Sequence, residues 1–274
     1  MQKKFFGKVL VLAVAMAVGG GMEMDGVDRS IAGRHAEPWL QHGVSRQAYE
    51  DFQEFWDQFA SQPHRGQFAI PRMVIWLNGA PGAGKGTNTG YVQDIFAIHA
   101  APLVTSDLLA SPAFELAKDA GKLVQDRDVT REVFSHLLHR RHADGVVVDG
   151  YPRTTVQAEC VKLLHDKIRE LKQTSDFRVV IFEVDEAVSV ERQLGRGILA
   201  KKNNERVERT GQGQVVPLRK TDVDPEAAAT RYQIFVQQIE DSLAILQTRF
   251  PCHRINAEGS FEAVRQKIYD ALRN

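Results

Sequence analysis

Nine residues constrain this chain more than any other stretch: Gly79-Ala80-Pro81-Gly82-Ala83-Gly84-Lys85-Gly86-Thr87. They follow an apolar run, Met73 to Leu77, and open onto a segment that reads as a helix. Glycines at this density let a backbone wrap an anion with its N–H groups pointing inward, and the next helix offers the positive end of its dipole. Lys85 reaches the β- and γ-phosphates as a mobile point charge. A coincidental glycine-rich turn is the alternative, and the strand–loop–helix context weighs against it. Gly86 stands where a Ser or Thr hydroxyl usually meets magnesium, so a metal here must rely on nucleotide oxygens, water and a carboxylate from elsewhere.

The rest of the chain alternates in the same way. Short apolar runs at Pro102 to Thr105, Val146 to Val148 and Val179 to Val184, with a last one around His253 to Asn256, are separated by helical patterns such as Val129, Val133, Phe134, Leu137 and Leu138. Buried strands separated by helices predict βαβ units and a parallel sheet covered on both faces. Asp149 then falls at the carboxyl end of its strand, beside the glycine-rich loop, in place to orient magnesium-bound water. Its alternative is a turn-forming aspartate before Gly150. Arg192 and Arg196 lie one turn apart on a predicted helix, and a solvated face is the competing reading for each. Arg231 follows Asp224-Pro225-Glu226, an N-cap, an N1 proline and an early acid. The apolar face of that helix is Tyr232, Phe235, Val236, Ile239, Leu243 and Leu246. The polar stretch between Gly197 and Leu218 fits a mobile lid. It has neither Cys nor His, which excludes zinc ligation there.

The N-terminus reads separately. Lys3, Lys4 and Lys8 precede the apolar run Val9 to Val18 and three glycines, so residues 1–22 resemble a secretory signal. A misassigned start or a short packed segment are the alternatives, and ten residues fall short of the ~20 that span a bilayer. Residues 23–44 read as a linker. From Ser45, a plausible N-cap, Tyr49, Phe52, Phe55, Trp56 and Phe59 form an aromatic stripe at helical spacing. A partner groove or a platform for bases are conceivable uses, and packing is favoured. A segment with two prolines and a glycine, Ser61 to Pro71, closes this extension (23–71) and leads to a main domain, 72–274. The 35 basic and 35 acidic residues balance, which argues against nucleic acid bound through a broadly basic surface. Cys160 and Cys252 are the only cysteines, too few for a disulfide framework.

Several separated motifs resemble those of adenylate kinases and related nucleoside monophosphate kinases. GAPGAGKGT is similar to their phosphate loop, and Thr105-Ser106-Asp107-Leu108-Leu109 and Gly121-Lys122-Leu123-Val124 to their monophosphate-binding segments. Asp149-Gly150-Tyr151-Pro152-Arg153-Thr154 with Gln157 resembles their Asp-Gly-Phe-Pro-Arg-Thr…Gln signature. Arg192…Gly195-Arg196, Arg219-Lys220-Thr221-Asp222 and Arg231 resemble the arginines that flank their lid. The resemblance covers residues 73–274. It implies a three-layer P-loop NTPase α/β fold, a five-stranded parallel sheet flanked by helices, with a monophosphate-binding insert near 105–135 and a lid near 197–220.

It implies ATP-dependent phosphoryl transfer to a nucleoside monophosphate, most simply ATP + AMP = 2 ADP, with ATP and Mg2+ as cofactors. A UMP or CMP kinase, or a nucleotide-binding protein that has lost transfer, are the alternatives. The catalytic set carried over is Lys85, Arg153, Arg192, Arg196, Arg219 and Arg231. Gly79 to Thr87 and Arg192 hold ATP; Thr105, Val124, Gly150, Arg153 and Gln157 hold the monophosphate; Asp149 holds the metal through water. The expected protein is a cytoplasmic monomer with small-molecule nucleotide partners and no nucleic acid or stable membrane association; the signal-like start points instead to export. The family has glycine where Ser106 stands, and an arginine gripping the AMP phosphate where Ala110 stands.

Overall fold

Five apolar runs become five strands, β1 (Met73–Gly79), β2 (Leu103–Val104), β3 (Val146–Asp149), β4 (Asp176–Glu183) and β5 (Cys252–Asn256). All pair in parallel, in the order β2-β3-β1-β4-β5. The computed structural model describes residues 37–63, 67–110, 114 and 124–273. The signal-like segment 1–22, Lys118 and Gly121 to Leu123 lie outside the described residues. The compact unit is Pro38–Asn274.

Every residue of central β1 is buried, which is why it reads as a continuous apolar run: helices cover both faces. The side chains still alternate. Val74 and Trp76 enter one hydrophobic cluster with α5 (Asp126–Leu137) and α6 (Thr155–Glu170). Ile75 and Leu77 enter the other, with α3 (Lys85–Phe96) and α9 (Phe261–Arg273). α4 (Thr105–Leu108), α7 (Glu186–Thr210) and α8 (Pro225–Gln247) also belong to the main domain. Asp224 caps α8 by accepting from the Glu226 and Ala227 N–H groups, with Pro225 in the first turn.

The N-terminal stripe forms α2 (Arg46–Ser61), preceded by the short α1 (Pro38–His42), and Ser45 Oγ accepts from the Ala48 N–H. Its aromatics pack inward. Phe52 and Phe55 are 2% and 3% exposed and meet Phe134 of α5 edge-on. They belong to the same cluster as Trp76 of the central strand. After α2, residues 67–72 are also stitched down. Ala69 N–H donates to Leu138 O (3.0 Å), Arg72 N–H to Ala143 O (2.8 Å), and Phe68 bridges to His139.

Two local expectations need correction. The second strand holds only Leu103 and Val104, because Thr105 already begins α4. Val236 of α8 is 39% exposed, off the buried face formed by Phe235, Leu243 and Leu246. The polar stretch after Gly197 is helical as far as Thr210, since Lys, Arg and Glu are good helix formers whether or not they are buried. That helix stops at Gly211, in the left-handed conformation that ends many helices.

Candidate active site

Strand β1 ends at Gly79, whose φ is +147°. A Cβ there would land on the Phe182 carbonyl of β4, so only glycine lets the chain leave the sheet this close to its neighbour. The loop then turns through Ala80 to Gly84, and α3 starts at Lys85. The Lys85 ammonium donates to the Gly79 and Ala80 carbonyls, at 2.6 and 3.1 Å. Burial pushes Lys85 down to about 8, against the pull of Asp149 and with the help of Arg153, Arg231 and Arg196.

A cleft of about 1160 Å³ opens at the carboxyl ends of the strands. Gly79, Pro81 to Asn88, Asp107, Asp149 and Gly150 line it, as do Arg153, Arg192, Arg196, Arg219 and Arg231. Ala80 lies just behind, packed in the core at 1% exposure. The arginines arrive from four places. Arg153 follows β3, and its Nε donates to Gly150 O at 2.7 Å. Arg192 and Arg196 are one turn apart on α7. Arg192 Nη1 donates to Ala257 O (3.0 Å), just past β5, and Arg196 pairs with Asp222. Arg219 precedes the short turn Lys220–Asp222, and Arg231 on α8 donates to Gln193 Oε1 and Thr221 Oγ1, both at 3.4 Å.

That short turn is pressed against α7. A Cβ at Gly197 would overlap the Asp222 carbonyl, so the helix and the returning chain cross with no side chain between them. Asp222 itself is 5% exposed. Burial alone raises a carboxyl, but hydrogen bonds from Arg196 and the Arg219 N–H outweigh it and hold Asp222 below the usual range.

Six cations against two carboxylates, Asp107 and Asp149, line one concave surface. Such crowding is costly unless a polyanion enters, and the volume exceeds the ~300–1,000 Å³ of a single-ligand pocket. Asp149 is raised by burial and held back by Lys85 and Arg153. Among the described residues no group of three or more His, Cys, Asp or Glu side chains is placed to hold a metal ion. Two acids facing a phosphate loop do suit Mg2+, which keeps several waters and binds through one or two carboxylates plus substrate phosphates.

The residues expected at the monophosphate divide into two groups. Gly150 and Arg153 face the cleft. Thr105 is 1% exposed, its hydroxyl donating to Asp149 O (2.9 Å), and Gln157 is 4% exposed. Val124 is half-buried against the core. Sequence reading gave no separate role to Asp107, which reaches the cleft, or to Asp126, which grips Gln157. Asp107 was present in the Thr105–Leu109 motif; Asp126 gave no signal beyond an acid at a helix start.

Comparison with known proteins places these features. The AAA domain family profile matches residues 78–209. The chain is 31% identical to an adenylate kinase of Corynebacterium urealyticum over 209 residues, 73% of this chain and 99% of that one. It is 28% identical to an adenylate kinase of Synechococcus sp. over 74% of this chain and 96% of that one. A third, from Corynebacterium glutamicum, is 39% identical over 46% of this chain and 71% of the relative.

Proposed function

The chain belongs to the adenylate kinase and nucleoside monophosphate kinase family, and from that premise we propose that it transfers the γ-phosphoryl group of ATP to AMP, ATP + AMP ⇌ 2 ADP. The convergence of six cations on a cleft floored by the phosphate loop carries this reading. Phosphoryl transfer needs positioning and positive charge around the transferring group, with little covalent work by the protein.

In this reading the loop from Gly79 to Thr87 and Lys85 hold the ATP phosphates, and Arg192 closes that side of the cleft. Arg153 grips the acceptor phosphate across the cleft. Arg196, Arg219 and Arg231 surround the group in flight, where charge spreads over its oxygens. Asp149, with Asp107 nearby, would hold magnesium through water. Bound Mg2+ would neutralise phosphate charge. Thr105 supports Asp149 through its carbonyl, Gln157 holds the Arg153 backbone, and Val124 with Gln157 belongs to the acceptor side. The polar segment near 197–220 covers the donor side and excludes water. We take the enzyme to be a monomer and place it in the cytoplasm with its substrates. Among the described residues no helix is long and apolar enough to cross a membrane.

A coupled assay for ADP formation with AMP, CMP, UMP and GMP in turn tests the assignment. AMP is expected to give the highest kcat/KM. Preference for a pyrimidine monophosphate would replace AMP as acceptor, and no turnover with any of the four would overturn the kinase reading.

Ala110 gives a second test. It sits exposed just past α4, its N–H donating to Asp107 O at 3.2 Å. Arg153 is therefore left as the main grip on the acceptor phosphate. Ala110→Arg is expected to add a charge-assisted contact and lower the KM for AMP about tenfold, worth ~1.4 kcal/mol. The KM for ATP should stay within twofold. An unchanged or raised AMP constant in steady-state kinetics would mean that another group already holds that phosphate.

A further inference from the structure

Asp126 is the first residue of α5, and its carboxylate reaches across to the first turn of α6. Oδ1 accepts from Gln157 Nε2 (2.7 Å) and Oδ2 from Thr154 Oγ1 (2.8 Å). Gln157 Oε1 in turn accepts the Arg153 N–H at 2.8 Å, and the Gln157 N–H donates to Thr154 Oγ1 at 3.2 Å. These four bonds close a ring running from Asp126 through Gln157 to the backbone of Arg153. Nearby, Tyr151 Oη bonds Thr130 Oγ1 (2.9 Å) and donates to Gln157 O (3.4 Å), so these polar groups between α5 and α6 are paired.

We propose that Asp126 is a positioning residue for the acceptor site, fixing the Gln157 amide in one orientation and, through it, the backbone from which Arg153 enters the cleft. This rests on Arg153 gripping the acceptor phosphate. A glutamine amide can flip end for end with little change of shape. Here its two ends meet partners of opposite kind: a carboxylate that only accepts, and a backbone N–H that only donates. A flip would set oxygen against oxygen at Asp126 and donor against donor at Arg153. Gln157 alone would leave Arg153 held by a side chain free to turn over; the carboxylate removes that freedom. Phosphoryl transfer is sensitive to misplacement of about 1 Å, so the orientation of Arg153 has catalytic weight.

The test is a graded series at Asp126 in the full chain. Asp126→Ala, which removes the acceptor of Gln157 Nε2 and of the Thr154 hydroxyl, is expected to raise the KM for AMP about tenfold with the KM for ATP within twofold. Asp126→Asn keeps the shape and offers one acceptor without charge assistance, so its AMP constant should rise about threefold. Hydrogen exchange at the Arg153 amide, measured without nucleotide, should speed up in the same order. Constants for AMP and ATP that rise together, or an Asn variant as poor as the Ala variant, overturn the proposal. If Asp126→Ala does not fold, an unchanged AMP constant in Asp126→Asn overturns it alone. If the wild-type protein phosphorylates no monophosphate, the kinase reading fails separately, and the Arg153 amide decides: exchange unaltered by Asp126→Asn means Asp126 does not position it.

Discussion

Replacing Lys85 by methionine is expected to lower kcat/KM with ATP by roughly a hundred- to a thousandfold, the range for removing one preorganised group aimed at transition-state charge. More than a tenth of the wild-type rate in the purified variant would mean that the glycine-rich loop does not hold the donor phosphates. The same substitution should not destabilise the fold. The Lys85 ammonium is drawn into the loop, held by two of its carbonyls and crowded by arginines, and a chain of similar volume without charge loses little packing. The pH dependence has a definite sign. Lys85 titrates near 8 in the folded protein against about 10.4 unfolded, so between these values the unfolded chain binds more protons. Wild-type stability therefore gains with pH across that window, and the charge-burial cost is fully present below it. Any melting-temperature advantage of Lys85→Met should be largest below pH 8 and shrink towards pH 10. An advantage that grows with pH would contradict a buried ammonium.

The second large effect lies far from the cleft. Phe55 is 3% exposed, its ring 5.5 Å from both Phe59 and Phe134. Phe55→Ala should cost about 3–5 kcal/mol by loss of buried area and the cavity left behind. For a unit of this size that is a fall of roughly 6–20 °C in melting temperature. Differential scanning calorimetry should show one transition, shifted as a whole. A separate early transition, or a shift under 2 °C, would mean that α2 unfolds independently of the sheet.

The parts that were legible in the sequence were those whose cause is local. Gly79 to Lys85 announce themselves because a loop that wraps an anion needs glycines in order, and Val146 to Val148 because a strand covered on both faces is apolar throughout. Ser45 and Asp224 cap their helices through neighbours two or three residues away. What the sequence hid depends on partners distant in the chain. The extension looked separate because its Phe52 and Phe55 find Phe134 some eighty residues later. Gln157 and Thr105 carry motif positions, yet their hydrogen bonds go to Asp126 and the Asp149 carbonyl, which no spacing rule reveals. The length of α7 was hidden for another reason: a lysine- and asparagine-rich stretch is compatible with both loop and helix, and tertiary context decides.

The crossing of Gly197 beneath Asp222 has a consequence for how such proteins can vary. It fastens the outgoing and returning chain at one point, with Arg196 and Arg219 at the fastening rather than beyond it. Everything from Ile198 to Leu218, the last turns of α7 and the segment returning from it, is then an excursion closed at its own base. Its non-helical part, from Gly211 on, is inexpensive to lengthen, about 0.6 kcal/mol for each doubling. Insertions or deletions there leave the arginines where they are, so the outer span is free to change in size and decoration while the charge around the phosphates stays constant.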